Sequence, residues 1–187
     1  MTHPMILPCA KNNYVGIADP TDMDLPKRAI AILDACRYCT LSTVSPDGIP
    51  WGSPIFFAAD TGINVYWSSS TVSQHSRNLD QSSGQATITM YVAYDKPGQT
   101  EGLYFRGHGE AIEDKAQATQ ILPLMMAKSG RLLTRTASDY LEPSLRRFYQ
   151  FTPEAVWITG DRLVDGNQLI DTKIALDMAK LKELNSL

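Results

Sequence analysis

Tyr66-Trp-Ser-Ser-Ser-Thr-Val-Ser-Gln-His-Ser-Arg-Asn-Leu79 carries a strand straight into a run of hydroxyls and then into a short helix. Ile63, Val65 and Trp67 alternate with Asn64 and Tyr66, the period-two pattern of a half-buried strand. Ser68 to Ser73 then supply caps for a helix reaching about Gln81. A helix start leaves free N–H groups at the positive end of its dipole, and both favour an anion. Serines before a helix are also ordinary N-caps. Six hydroxyl residues (Ser68, Ser69, Ser70, Thr71, Ser73, Ser76), followed by Arg77, nevertheless exceed what one cap requires. The stretch therefore reads as a strand-to-helix junction able to hold an anion.

Upstream, the fold begins near Asp24. Pro26 suits a first helical turn, and Ala29, Ile30, Ile32, Leu33 and Cys36 form a helical apolar stripe ending before Tyr38. Thr40 to Val44 is rich in β-branched residues and meets the turn Ser45-Pro46-Asp47-Gly48, after which Ile49 to Ala58 forms a second run. Asp60-Thr61-Gly62 is another tight turn, so three consecutive antiparallel strands are expected.

Downstream, Ala86 to Tyr94 alternates and Asp95-Lys96-Pro97-Gly98 breaks it. Leu103 to Ile112 reads as strand five. Leu103, Phe105, Gly107, Gly109 and Ala111 share one face of it, and Tyr104, Arg106, His108 and Glu110 the other. Its two glycines admit close approach or strong bending. Lys115 to Ala127 and Ala137 to Tyr149 read as helical, interrupted by Pro123 and Pro143. Ala155 to Thr159 reads as a short last strand, and Ile170, Ile174, Met178, Leu181 and Leu184 space out a C-terminal helix.

This pattern predicts a mainly β, α+β fold: a six-stranded antiparallel barrel, closed or split, with flanking helices. A doubly wound parallel sheet would need helices between most strands. Residues 1–23, with Pro4, Pro8, Gly16 and Pro20, read as an N-terminal arm, 24–160 as the barrel domain and 161–187 as a C-terminal helical extension.

At 187 residues the chain suits one domain with one sizeable core. A net charge of -3 gives no global attraction to nucleic acid or an anionic membrane, so an anion site has to be local. No apolar run approaches the roughly 20 residues of a membrane span, and Met1 to Ala10 lacks a basic segment, which makes the cytoplasm the expected location. Cys36-Arg37-Tyr38-Cys39 has the spacing of a redox pair or half a zinc site. No second pair exists, Cys9 stands alone, and His3, His75 and His108 have no metal-motif spacing, so small buried residues are expected and no metal is assigned.

The series Cys39-Thr-Leu-Ser-Thr-Val-Ser-Pro-Asp-Gly-Ile-Pro50, Ser53-Pro-Ile-Phe-Phe57, Val65-Tyr-Trp-Ser-Ser69, Ser73-Gln-His-Ser-Arg-Asn-Leu79 and Gly102-Leu-Tyr-Phe-Arg-Gly-His-Gly-Glu-Ala111 resembles the pyridoxamine 5′-phosphate oxidase-like split-barrel flavoproteins. The resemblance spans roughly residues 24 to 160 and rests on the order of its motifs. It implies a six-stranded FMN-binding split barrel, a homodimer with FMN at the interface, and flavin-mediated electron or hydride transfer with a small-molecule substrate.

Residue by residue, it implies that Ser53, Pro54, Ile55 and Phe56 form the strand beside the isoalloxazine ring. Trp67 and Ser68 flank the ring and ribityl chain, Ser73 and His75 take the phosphate, and Gln74 between them is a further cofactor-binding candidate. Family members often place Lys or Arg at the position of His75 and Arg near Ser53, so the positive charge here is lighter, with Arg77 as a compensating candidate. A charged His75 at the phosphate implies FMN binding that weakens between about pH 6 and 8.5. Trp157 is a candidate to cap the flavin of a second subunit, and Arg106 and His108 to contact a substrate or the partner's FMN. No basic motif follows Thr159, so the resemblance stops short of vitamin B6 oxidase activity.

Because a flavin carries the chemistry, no triad or carboxylate pair is required, and none is found. Three alternatives stay open: a flavin-binding or flavin-sensing module without turnover, or the same barrel using F420 or haem. F420 favours a basic groove, and haem needs an axial ligand such as His75 or His108.

Overall fold

The computed structural model describes residues 15–17, 21–93, 100–131 and 134–186. Most of the expected N-terminal arm, with His3 and Cys9, and the break at Asp95 to Gly98 lie outside these residues. In chain order the elements are β1 (Val15–Ile17), α1 (Asp24–Ala35), β2 (Tyr38–Val44), β3 (Pro50–Phe56), β4 (Ala58–Ala59), β5 (Val65–Ser70), α2 (Gln74–Gln81), β6 (Gln85–Ala93), β7 (Thr100–Ala111) and α3 (Lys115–Ser129). A 3₁₀ turn (Ala137–Tyr140) leads to β8 (Arg146–Thr159), β9 (Leu163–Asp165), β10 (Gln168–Ile170), β11 (Lys173–Leu176) and α4 (Met178–Asn185).

The main sheet runs β1-β11-β8-β7-β6-β2-β3, with β5 added to β8 and β4 to β5. Its ladders are antiparallel except for the parallel β1–β11 pair. The split barrel is as expected, but the sheet has nine strands where six were predicted, the extra ones being short pieces at its margins. The expected meander also breaks. β3 pairs with β2 alone and β5 with β4 and β8, so an unpaired seam separates β3 from the second half of β5. The start of α2 lies at this seam.

Apolar alternation fills the interior. Trp67, Phe57, Phe105, Phe151, Leu41 and Ile88 are each at most 1% exposed, and Trp67 stacks on Tyr149 at 5.4 Å and 13°. A second cluster, built from Tyr66, Ile121, Met125, Tyr140 and Phe148, seats α3 and the 3₁₀ turn on the outer side of β4 and β5. Cys36 and Cys39 are free and buried, and burial pushes both thiols up. No helix among the described residues is long and apolar enough to cross a membrane.

Backbone details place the seam. Asp60 accepts from Asn64 N–H at 2.8 Å, Asn64 Nδ2 at 2.9 Å and Tyr66 Oη at 2.8 Å, which holds Ile63 at a φ of 64°. Gly84, between the Ser82 cap of α2 and β6, has a φ of 73°, and a Cβ there would lie 2.6 Å from the Gly109 carbonyl oxygen. At Gly107 a Cβ would meet the Thr152 carbonyl and lie 2.9 Å from Pro153 Cα, and the β7–β8 register shifts at this point.

Three sequence readings are corrected. The helix expected over Ala137 to Tyr149 is a 3₁₀ turn followed by β8, a 14-residue strand in place of the short one expected at 155–159. β8 owes its strand state to distant partners: β5 along 146–151, β11 along 156–159 and β7 along most of its length. Pro153 falls between the β5 and β11 ladders, where its missing N–H costs no bond on that side. Pro123 does not interrupt α3, whose buried Ala118, Ile121 and Met125 carry the helix through it. Of the C-terminal helix only Met178–Asn185 is helical. Residues before it form the β9–β10 hairpin and β11, which is recruited by β8.

Candidate functional site

The seam between β3 and β5 is spanned by one side chain. His75, in the first turn of α2, places Nδ1 3.0 Å from Ser53 Oγ on β3 and Nε2 2.8 Å from Ser69 Oγ on β5. Nε2 also lies 3.1 Å from Ser73 Oγ. Ser73 Oγ in turn meets Ser76 Oγ at 2.9 Å and Ser69 Oγ at 3.2 Å, and Trp51 Nε1 donates to Ser53 Oγ at 3.1 Å. Every partner of the imidazole is a neutral hydroxyl, and desolvation lowers the His75 pKa. In the free protein burial therefore disfavours the charged imidazole.

Ser73 is the N-cap of α2, but its hydroxyl is directed into the serine cluster and makes no capping bond. The N–H groups of Gln74, His75 and Ser76 open the helix without intrahelical carbonyl partners. Fixed hydroxyls, one imidazole and open helix N–H groups form a donor set suited to a phosphate ester.

Side-chain alternation divides the residues singled out from sequence. Ser53, Ile55 and Trp67 point inward, and Pro54, Phe56 and Ser68 point outward. Trp67 is 0% exposed, so its side chain belongs to the core and only its backbone borders the seam. Gln74 is tied by Nε2 to Asn78 Oδ1 at 2.8 Å. Arg77 is exposed on another side of α2, where it lines a cavity of about 990 Å³ with His108, Glu110 and Tyr149. It does not join the cluster. Trp157 is 7% exposed beside Tyr104 and Ala175, and its buried indole N–H has no acceptor among the described residues. It lies nine positions along β8, of the order of 30 Å of strand, from the Phe148 that faces Ser68. Within one protomer, Trp157 and the cluster are not brought together.

Two groups were not singled out as site residues from the sequence, although Ser69 belongs to its hydroxyl run. Ser69 shares the inward parity of Trp67, a signal present in the alternation. Arg146 donates from Nη1 to Ser68 Oγ at 3.2 Å, but it was hidden inside a segment read as helix.

A family profile described as Pyridoxamine 5′-phosphate oxidase matches residues 25–160. The chain belongs to the pyridoxamine 5′-phosphate oxidase family. Solved structures agree on the fold. A provisionally named 5-nitroimidazole antibiotic resistance protein of Bacteroides thetaiotaomicron is 17% identical, with a TM-score of 0.60 over 74% of this chain and 83% of that one. A heme binding protein of Mycobacterium smegmatis is 15% identical, with a TM-score of 0.63 over 89% of this chain but only 62% of its own length. A provisionally assigned pyridoxamine 5′-phosphate oxidase of Listeria innocua is 18% identical, with a TM-score of 0.55 over 72% and 98%. None of the curated proteins compared matches the chain. Within the pyridoxamine 5′-phosphate oxidase family fold, the serine and histidine cluster stands at the open seam of the barrel.

Proposed function

We propose that the protein is an FMN-dependent oxidoreductase acting as a homodimer on a small organic substrate. The observation that carries this reading is the His75 bridge across the seam, with hydroxyls on both sides and open helix N–H groups beside it. Ser53, Ser73, His75 and the start of α2 would hold the phosphate, and the strand backbones at 53–56 and 67–68 would line the ring. A bound flavin supplies electron or hydride transfer. This chain's residues bind it, orient it and keep water from the seam. Exposed Tyr38, Val44, Ile49, Trp51 and Tyr91 on and beside β2, β3 and β6 support a self-association surface.

Titration of the full chain with FMN and with riboflavin tests the reading. FMN should bind at least about tenfold tighter, and Ser73→Ala should narrow the gap; equal affinities would sink the phosphate assignment. Anaerobic photoreduction followed by rapid mixing with oxidants separates enzyme from module. Reoxidation no faster than that of free FMN would leave a flavin-binding module without turnover.

Haem is the second reading, favoured by His108 Nδ1, which lies 2.7 Å from Glu154 Oε1 while the residue lines the 990 Å³ cavity. A carboxylate on one ring nitrogen is how many metal-ligating histidines are oriented. A Soret shift on adding hemin that is abolished by His108→Ala would support it.

A further inference from the structure

A second cavity, of about 310 Å³, opens on the outer side of β5. Four of its walls are rings. Tyr38 meets Phe56 edge to face at 5.8 Å, and Tyr140 stacks on Phe148 at 3.8 Å. Arg37 and Arg131 line the cavity too. The Arg37 guanidinium lies 5.9 Å from the Phe56 centroid and commits one N–H, from Nη2, to the Ser129 carbonyl at 3.2 Å. Arg146 donates to Ser68, which lines the same space.

Among the described residues no carboxylate lines this cavity, although the chain's net charge is -3. The other large cavities differ. The one of about 590 Å³ holds both of its arginines in ion pairs, Arg28 with Glu101 and Arg162 with Asp171, each at 2.8 Å, and its Lys173 lies over the Tyr104 ring. The one of about 990 Å³ sets its arginines among Asp80, Glu110 and Glu113.

Ring walls favour a flat ring stacked or set edge-on between them. Guanidinium forks match a carboxylate in two parallel hydrogen bonds. A volume near the lower limit of small-molecule sites suits one ring. A carboxylate conjugated to its ring is coplanar with it and fits between flat walls, whereas a tetrahedral phosphate does not lie flat. We infer that this cavity binds the substrate, and that the substrate is a single-ring carboxylate whose charge is met by Arg37 and Arg131. The inference rests on the flavin reading of the seam, because Phe56 and Ser68 border both spaces.

The test titrates benzoate, benzamide and phenyl phosphate into the full chain, with and without FMN, followed by calorimetry. Benzoate should bind about tenfold tighter than benzamide and tighter than phenyl phosphate. Arg37→Gln and Arg131→Gln should each weaken benzoate severalfold while leaving benzamide unchanged. Both residues are exposed, and circular dichroism checks that the variants fold. Equal binding of benzoate and benzamide, tighter phenyl phosphate, or indifference to both substitutions overturns the inference. Displacement of FMN by benzoate also overturns it, since the cavity would then be the flavin's own. If FMN does not bind at all, the flavin-free chain still decides: retained benzoate preference supports the carboxylate site, and its absence overturns it.

Discussion

Strand β5 separates two polar regions that offer different things to a negative charge. On its inner side Ser69 joins Ser53, Ser73 and His75, a set of neutral donors with the imidazole held below its ordinary pKa. On its outer side Ser68 meets Arg146, and Arg37 and Arg131 stand beside aromatic rings. Two adjacent serines thus serve opposite environments, because successive side chains of a strand leave on opposite faces. A charge enclosed by barrel walls loses hydration, whereas an arginine at the rim keeps much of it. The inner region is therefore built from hydrogen bonds and the outer one from charge.

The most damaging way to break this contrast is to loosen the strand between the regions. Trp67→Ala removes a fully buried ring stacked on Tyr149 and should cost about 3–5 kcal/mol in urea unfolding. A cost below about 1 kcal/mol would deny Trp67 its anchoring role.

Next, the two sides should differ when each loses its central group. His75→Ala leaves Ser53 and Ser69 without their shared partner and should cost about 1–3 kcal/mol. Arg146→Gln on the part-exposed outer side should cost under about 1 kcal/mol. Equal costs would erase the distinction between hydrogen-bonded and charged regions.

Acid sharpens the comparison further. Since desolvation lowers the folded His75 pKa from 6.5, the unfolded chain takes up the proton first as pH falls. The unfolded state then binds more protons, so stability rises with pH through this window and is lost as pH falls below 6.5. His75→Asn, which does not titrate, should flatten that slope. An unchanged slope in the variant would assign it to other groups.

The smallest effect is expected at Arg77. It is exposed and away from the cluster, so Arg77→Gln should change stability by no more than about 0.5 kcal/mol and FMN affinity by less than about twofold. A tenfold loss of FMN would place this arginine at the phosphate after all.

Legibility in the sequence followed the range of the interactions. The stripe Ala29, Ile32 and Leu33, the turn at Ser45 to Gly48 and the alternation of β6 and β7 are local patterns, and they marked α1, the β2–β3 hairpin and the following strands. β8 was misread because its strand state comes from ladders to β5 and β7, residues 38 or more positions away. The site divided in the same way. The hydroxyl run and His75 were visible as composition, and the bond from His75 to Ser53, 22 residues apart, was not.

By itself, the sequence determined the hydroxyl-rich strand-to-helix junction, the antiparallel hairpins around it and the motif order that marks the family, because periodicity, turn chemistry and capping act over a few residues. Only the tertiary structure decided that β3 and β5 stay unpaired, that His75 stitches them together, that Arg77 stands apart and that Arg146 reaches Ser68. Those outcomes depend on which distant strands win the backbone hydrogen bonds and on which face each side chain leaves the sheet.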